Sequence, residues 1–138
     1  MDILRRDFAT VTVYREGSLL EVTWHRQTTD EEFKEAYSLS LQTALQEELR
    51  YFLSDNSAGV NLVMAMQHWV SAYASGIIEN LKIERYARVV PPDAFQEVVS
   101  YKMYECINQL KQNQLEFRVF YSKDEAYKWL LNGAQQRA

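Results

Sequence analysis

Between Val11 and Leu130 the spacing of apolar residues switches repeatedly from two to three or four and back, which restricts the chain to a sheet built from strand-helix units. Val11 and Val13 alternate with Thr12 and Tyr14, then Arg15, Glu16, Gly17 and Ser18 interrupt, and Leu20, Val22 and Trp24 alternate again. Two such runs around a short polar break predict a hairpin. Thr29 with Glu32 three positions on is a capping-box signature, and Phe33, Ala36, Tyr37, Leu41, Ala44 and Leu45 then share one helical face, so a helix is expected from about residue 30 to 48. A short strand follows at residues 50 to 55, and Met66, Trp69, Val70, Tyr73 and Ile77 recur at helical spacing. The unit repeats with IERYARVV at 83 to 90, before a helix that Asp93 and Gln96 cap and that carries Phe95, Val99, Met103, Cys106 and Leu110. It repeats again with LEFRVFY at 115 to 121, before a helix that Ser122 and Glu125 open and that carries Ala126, Trp129 and Leu130.

Strands joined through helices cannot be hairpin neighbours, so the four main strands are expected to be parallel with right-handed crossovers. The opening hairpin adds one antiparallel strand. The expectation is a single α/β domain over residues 1–138 with a five-stranded mixed sheet and four helices starting near residues 30, 65, 93 and 123. Buried parallel strands usually read as continuous apolar runs. Here Arg85 and Arg88 interleave with Ala87 and Val89, and Glu116 and Arg118 with Phe117 and Val119, which predicts one wetter sheet face and helices mostly on the other.

At 138 residues the chain can bury roughly two-thirds of its unfolded surface and needs no covalent staple. A charged fraction of 25% beside a hydrophobic fraction of 47% argues against disorder. The net charge of -4 gives no electrostatic footprint for nucleic acid. Cys106 is the single cysteine, which excludes an intrachain disulfide and a multi-cysteine zinc site and makes a reducing, cytoplasmic setting the simplest expectation. No apolar run approaches the ~18 residues of a membrane span, and no apolar stretch follows Arg5 and Arg6 as a secretory signal would require.

The order of hairpin, helix and three further strand-helix units resembles the SpoIIAA-like (STAS-related) domains. LEVTW, YFLSDNS, IERYARVVPPD and FRVFYSKDEAYKWL carry the resemblance, over about residues 9 to 131. It implies a small non-enzymatic module for regulation or binding, with relatives among anti-sigma-factor antagonists and lipid-binding domains. In the antagonists a strand ends in an aspartate and a later Asp-Ser pair opens the next helix, with that serine phosphorylated. Asp55 matches the first position, but no serine stands between Ser57 and Ser71, so the phosphoserine switch is not expected here.

Asp55 also invites comparison with a phosphoryl-accepting receiver aspartate, with Lys123 as its lysine. The earlier strand ends in Trp24, His25 and Arg26 and the later one in Val90, Pro91 and Pro92, so the acidic pair and hydroxyl that would hold magnesium and phosphate are missing. Asp55 and Ser57 are therefore expected to form a turn. His25 and His68 lack the spacing of metal ligands, the glycines at 17, 59, 76 and 133 are too scattered for a phosphate loop, and a Ser57, His68, Asp55 triad lacks a nucleophile elbow. Cys106 falls on an apolar stripe as an inert thiol. No catalytic residue, metal or cofactor is expected.

A ligand would bind beyond the carboxyl ends of the parallel strands, where Trp24, His25, Arg26, Asp55, Asn56, Ser57 and Lys123 gather as a polar rim. Strict alternation assigns Tyr14, Phe52, Tyr86 and Phe120 to the face opposite Val13, Leu53, Ala87 and Val119, a candidate surface for self-association. The functional expectation is thus a non-catalytic regulatory or protein-interaction module, and the alternative is a small-molecule or lipid-binding protein using the strand-end rim.

Overall fold

The computed structural model describes residues 1–110 and 115–136, with the side chains of 94, 106–110 and 132–136 outside that description, including the Cys106 thiol. Its strands are β1 (Asp2–Arg5), β2 (Ala9–Tyr14), β3 (Leu19–Trp24), β4 (Tyr51–Asp55), β5 (Arg85–Val89) and β6 (Glu116–Phe120). Its helices are α1 (Asp30–Gln46), α2 (Met64–Ile77), α3 (Ala94–Leu110) and α4 (Lys123–Gln136), and one 3-10 turn covers Ile78–Asn80. The six strands lie side by side in chain order. β2 is antiparallel to β1 and β3, and β3, β4, β5 and β6 are parallel.

The four parallel strands, the hairpin and the four helices follow the period switches. The five-stranded expectation is corrected to six strands by β1, whose Ile3 and Leu4 sit side by side with no alternation to announce them. β1 exists through its partner: the Met1 amino group donates to Val13 O (2.9 Å) and Thr12 Oγ1 to Asp2 Oδ1 (2.7 Å). It is short, charged at both ends and irregular in register, features that protect a sheet edge from further pairing.

Register decides which residues share a face. Val13 pairs with Leu20, Leu20 with Phe52, Phe52 with Tyr86 and Tyr86 with Phe117, so these side chains all point to one side. On that side α1, α2 and α3 pack, and the core contains Val11, Leu20, Val22, Phe52, Phe33, Leu41 and Val70. The opposite side carries Leu19, Tyr51, Leu53, Ala87 and Val89, and α4 closes over them with Ala126 and Leu130. Each fully buried large apolar side chain contributes about 1.5–3 kcal/mol, so both layers stabilise the sheet.

This corrects the expected wet face. Over β4 and β5 both faces are covered, while at the edge strand β6 Glu116 and Arg118 stay exposed as the alternation implies. Arg85 and Arg88 cannot share a side, being an odd number of residues apart. Arg85 points to α4, donating to Trp129 O (2.7 Å) with its guanidinium 5.0 Å from that indole ring, while Arg88 points beneath α1–α3. The hairpin keeps an open outer side, with Thr10, Thr12 and an exposed Tyr14, and at the other edge Glu116 and Arg118 of β6 are exposed on the α4 side.

The helix starts follow local chemistry. Thr29 and Glu32 form the complete capping box of α1. Asp93 Oδ1 accepts from Phe95 N (2.9 Å) before α3, whereas Gln96 does not complete a box and instead donates to Asn61 Oδ1. α2 begins after Val63 with no side-chain cap.

Candidate functional site: an apolar cavity over the sheet

Between the sheet and α1–α3 lies a cavity of about 70 Å³. Its floor is Trp24, Ser54, Tyr86, Arg88 and Phe117, all from the sheet face that those helices cover. Phe33, Tyr37 and Leu41 of α1, Val70 and Ala74 of α2, and Met103 and Tyr104 of α3 form the walls. Leu62 borders one end; Ile83 and Leu115, which precede β5 and β6, border the other. The lining thus spans four neighbouring strands, β3 to β6, as well as the length of β5. From Arg88 back to Ile83 the lining extends about 16 Å at ~3.3 Å per extended residue.

Aromatic stacking holds the walls. Trp24 lies on Phe33 (centroids 4.8 Å apart), Phe52 on Tyr86 (4.9 Å) and Tyr104 on Phe117 (4.6 Å). The Tyr104 hydroxyl donates to Leu115 O (2.7 Å) and the Ser100 hydroxyl to Gln96 O (2.8 Å), so both are satisfied within the fold.

The polar groups converge at the carboxyl ends of β3, β4 and β5. Trp24 Nε1 donates to Ser54 Oγ at 3.2 Å. Arg88 Nη1 reaches the same oxygen at 3.5 Å, a long contact, and the enclosed Arg88 Nε has no hydrogen-bond partner. Burial pushes the Tyr86 phenol up, with Arg88 and Ser54 acting in the opposite direction. Burial likewise lowers the proton affinity of Arg88, offset in part by the Tyr86 and Tyr37 phenols. A guanidinium still keeps its proton under these conditions, so the site holds a fixed positive charge in an apolar enclosure. The side chain retains some accessible surface because it borders the cavity.

A second polar cluster lies on the other face. Lys123 Nζ, at the start of α4, is 3.1 Å from Glu21 Oε2 and 3.6 Å from Asp55 Oδ2, and the Tyr127 hydroxyl donates to Glu21 Oε1. Burial raises the Glu21 carboxyl above its ordinary range despite Lys123. Burial also works against the Lys123 charge, and the two carboxylates more than restore it. Asp55 Oδ1 accepts from Ser57 N (3.0 Å) and Ser57 Oγ (2.5 Å), the turn anticipated for this pair. Both Asp55 oxygens are therefore engaged, which makes the cluster a fastener between the sheet and α4.

The expected rim is dispersed by this geometry. Trp24 lines the cavity, while Asp55, Ser57 and Lys123 meet on the opposite face. His25 is exposed and bonds Thr10 Oγ1 (2.8 Å), and Arg26 is tied to Asp7 and Glu32. Asn56 is wholly buried, clamping Val60 N (2.8 Å) and Val60 O (3.0 Å) around a turn that Gly59 completes at φ 78°. The four aromatics assigned to one open face are also separated: Phe52 and Tyr86 are in the core beneath α1–α3, and Tyr14 and Phe120 are on the α4 side.

Sequence reading missed Arg88 and Glu21 as site residues. For each the signal was a charge inside an otherwise apolar strand, in YARVV and LEVTW. Among the described residues no group of three or more histidine, cysteine, aspartate or glutamate side chains is arranged to hold a metal, and no helix is long and apolar enough to cross a membrane. Compared with known proteins, the chain matches no family model, no curated protein and no solved structure.

Proposed function

We propose that the chain is a non-catalytic small-molecule-binding domain that takes an elongated apolar ligand into the cavity between the sheet and α1–α3. The observation that carries this reading is the cavity itself, which is walled almost wholly by apolar and aromatic side chains. In its lining the cavity resembles ligand sites, apolar walls with a few polar groups, but at about 70 Å³ it is smaller than theirs, so an elongated ligand enters only as the covering helices yield. A SpoIIAA-like kinship is part of the same reading, supported by the succession of parallel strands and helices.

The test uses straight-chain alcohols of four to ten carbons, followed by thermal unfolding of the purified protein. One length range is expected to raise the midpoint saturably, because a ligand that binds only the folded state stabilises it by mass action, about 2.7 kcal/mol at a hundredfold excess over Kd. Ala74→Phe, which fills the cavity from α2, should abolish the shift in a chain that still folds by circular dichroism. Midpoints unmoved by every alcohol would overturn the reading.

The second reading is a regulatory or protein-interaction module. It draws support from Val63, Met64, Phe95 and Val98, large apolar side chains exposed around the starts of α2 and α3.

A further inference from the structure

We propose that the ligand of this cavity is a straight-chain monocarboxylate, its carboxylate paired with Arg88 at the carboxyl ends of the strands and its chain running toward Ile83 and Leu115. The proposal rests on the reading of the cavity as a binding site and adds the chemistry of what fills it.

Arg5, Arg6, Arg15, Arg26, Arg50 and Arg85 each pair with a carboxylate of the chain. Arg88 is far more enclosed than the surface members of that set, yet among the described residues no carboxylate lies within ion-pair distance of it. An uncompensated buried charge is among the least favourable groups a core can hold. Its neighbours are neutral: Ser54 Oγ accepts from Trp24, and the Tyr86 hydroxyl is a hydrogen-bonding neighbour of Arg88 that brings no charge to balance the guanidinium. Arg88 borders the cavity with its Nε enclosed and unpartnered, and a carboxylate in that space would supply the negative charge the guanidinium lacks.

Charge selects within the anions. One guanidinium neutralises one negative charge, and the surrounding walls offer no second cation, so a phosphate monoester would bring an unbalanced charge into an apolar enclosure. A neutral alcohol would leave Arg88 as unpaired as before. Beyond Arg88 the walls toward Ile83 and Leu115 are apolar, which suits a hydrocarbon chain.

The experiment compares octanoate, 1-octanol and octyl phosphate by isothermal titration and thermal unfolding, on the full chain and on Arg88→Met. Octanoate is expected to bind the unaltered chain at least tenfold more tightly than 1-octanol or octyl phosphate. Arg88→Met should lose that preference while still taking 1-octanol. Equal affinity for octanoate and 1-octanol, stronger binding of octyl phosphate, or unchanged octanoate binding by Arg88→Met would each overturn the proposal while leaving the apolar-ligand reading intact. If none of the three binds, both fail. Should Arg88→Met not fold, the unaltered protein decides: octanoate affinity must fall as pH is lowered through the ligand's own carboxyl pKa while 1-octanol affinity stays constant, and parallel behaviour of the two would overturn the pairing.

Discussion

Glu48 ends α1 with a left-handed backbone, φ 52°, at a position where glycine is the usual occupant. The helix closes there because Glu48 N donates to Leu45 O (3.3 Å) and Leu49 N to Ala44 O (3.0 Å), which draws Leu49 into the core. A side chain in this conformation crowds its own backbone, and glycine removes that cost at some loss of unfolded-state restriction. Glu48→Gly is therefore expected to raise stability by about 0.5–1 kcal/mol, read as a higher urea midpoint with unchanged slope. A lowered midpoint would show that the exposed Glu48 side chain supplies contacts worth more than the strain. Nothing in the sequence marked this cap, since the glycine that normally signals one is absent. Arg88 was hidden for a related reason: in a strand that carries two arginines among apolar residues, each reads as solvent-facing until register shows which layer lies above it.

Among the elements, α4 is the most informative. It alone covers the second sheet face, through Ala126 and Leu130 over Leu53, Ala87 and Val89. Leu130 is fully buried and the next residue, Leu131, is 36% exposed. Leu130→Ala is expected to cost about 2–5 kcal/mol, and Leu131→Ala to stay within about 0.5 kcal/mol, by chemical denaturation. Equal effects would mean that α4 is rotated about its axis from the packing described above. The helices were legible because 3.6-residue spacing and caps are local properties: α1 and α4 start at Asp30 and Lys123, α2 and α3 one residue from the expected positions. The strand β1 was not, because four residues without alternation become a strand only when β2 offers its edge.

For the molecule as a whole, burial of both faces of the sheet at β4 and β5 changes what a surface substitution can be. Reading alternation alone, Phe52 and Tyr14 belong to one open face, and charging either should leave the fold intact. In the structure Phe52 has no exposed surface and stacks on Tyr86. Phe52→Glu is thus expected to abolish the cooperative urea transition seen by circular dichroism, whereas Tyr14→Glu, at a half-exposed position on the hairpin, should leave the midpoint nearly unchanged. A folded Phe52→Glu chain would return that face to the surface. Periodicity specified strands, helices and their order, but the assignment of faces needed the pairing of Leu20 with Phe52 and Phe52 with Tyr86, a long-range fact that no single strand carries.

The segment at the Leu62 end of the cavity is fastened at Val60 and Asn61 by side-chain amides. Gln27 bonds both the nitrogen and the oxygen of the Asn61 backbone (2.9 Å each), Gln96 bonds the Asn61 side chain, and Asn56 clamps Val60. None of these groups gains or loses a proton near neutrality, and none attracts counter-ions. The amide fastenings at Asn61 and Val60 are accordingly indifferent to salt and to mild acid or alkali, unlike the ion pairs that hold Arg26 and Lys123 elsewhere in the domain.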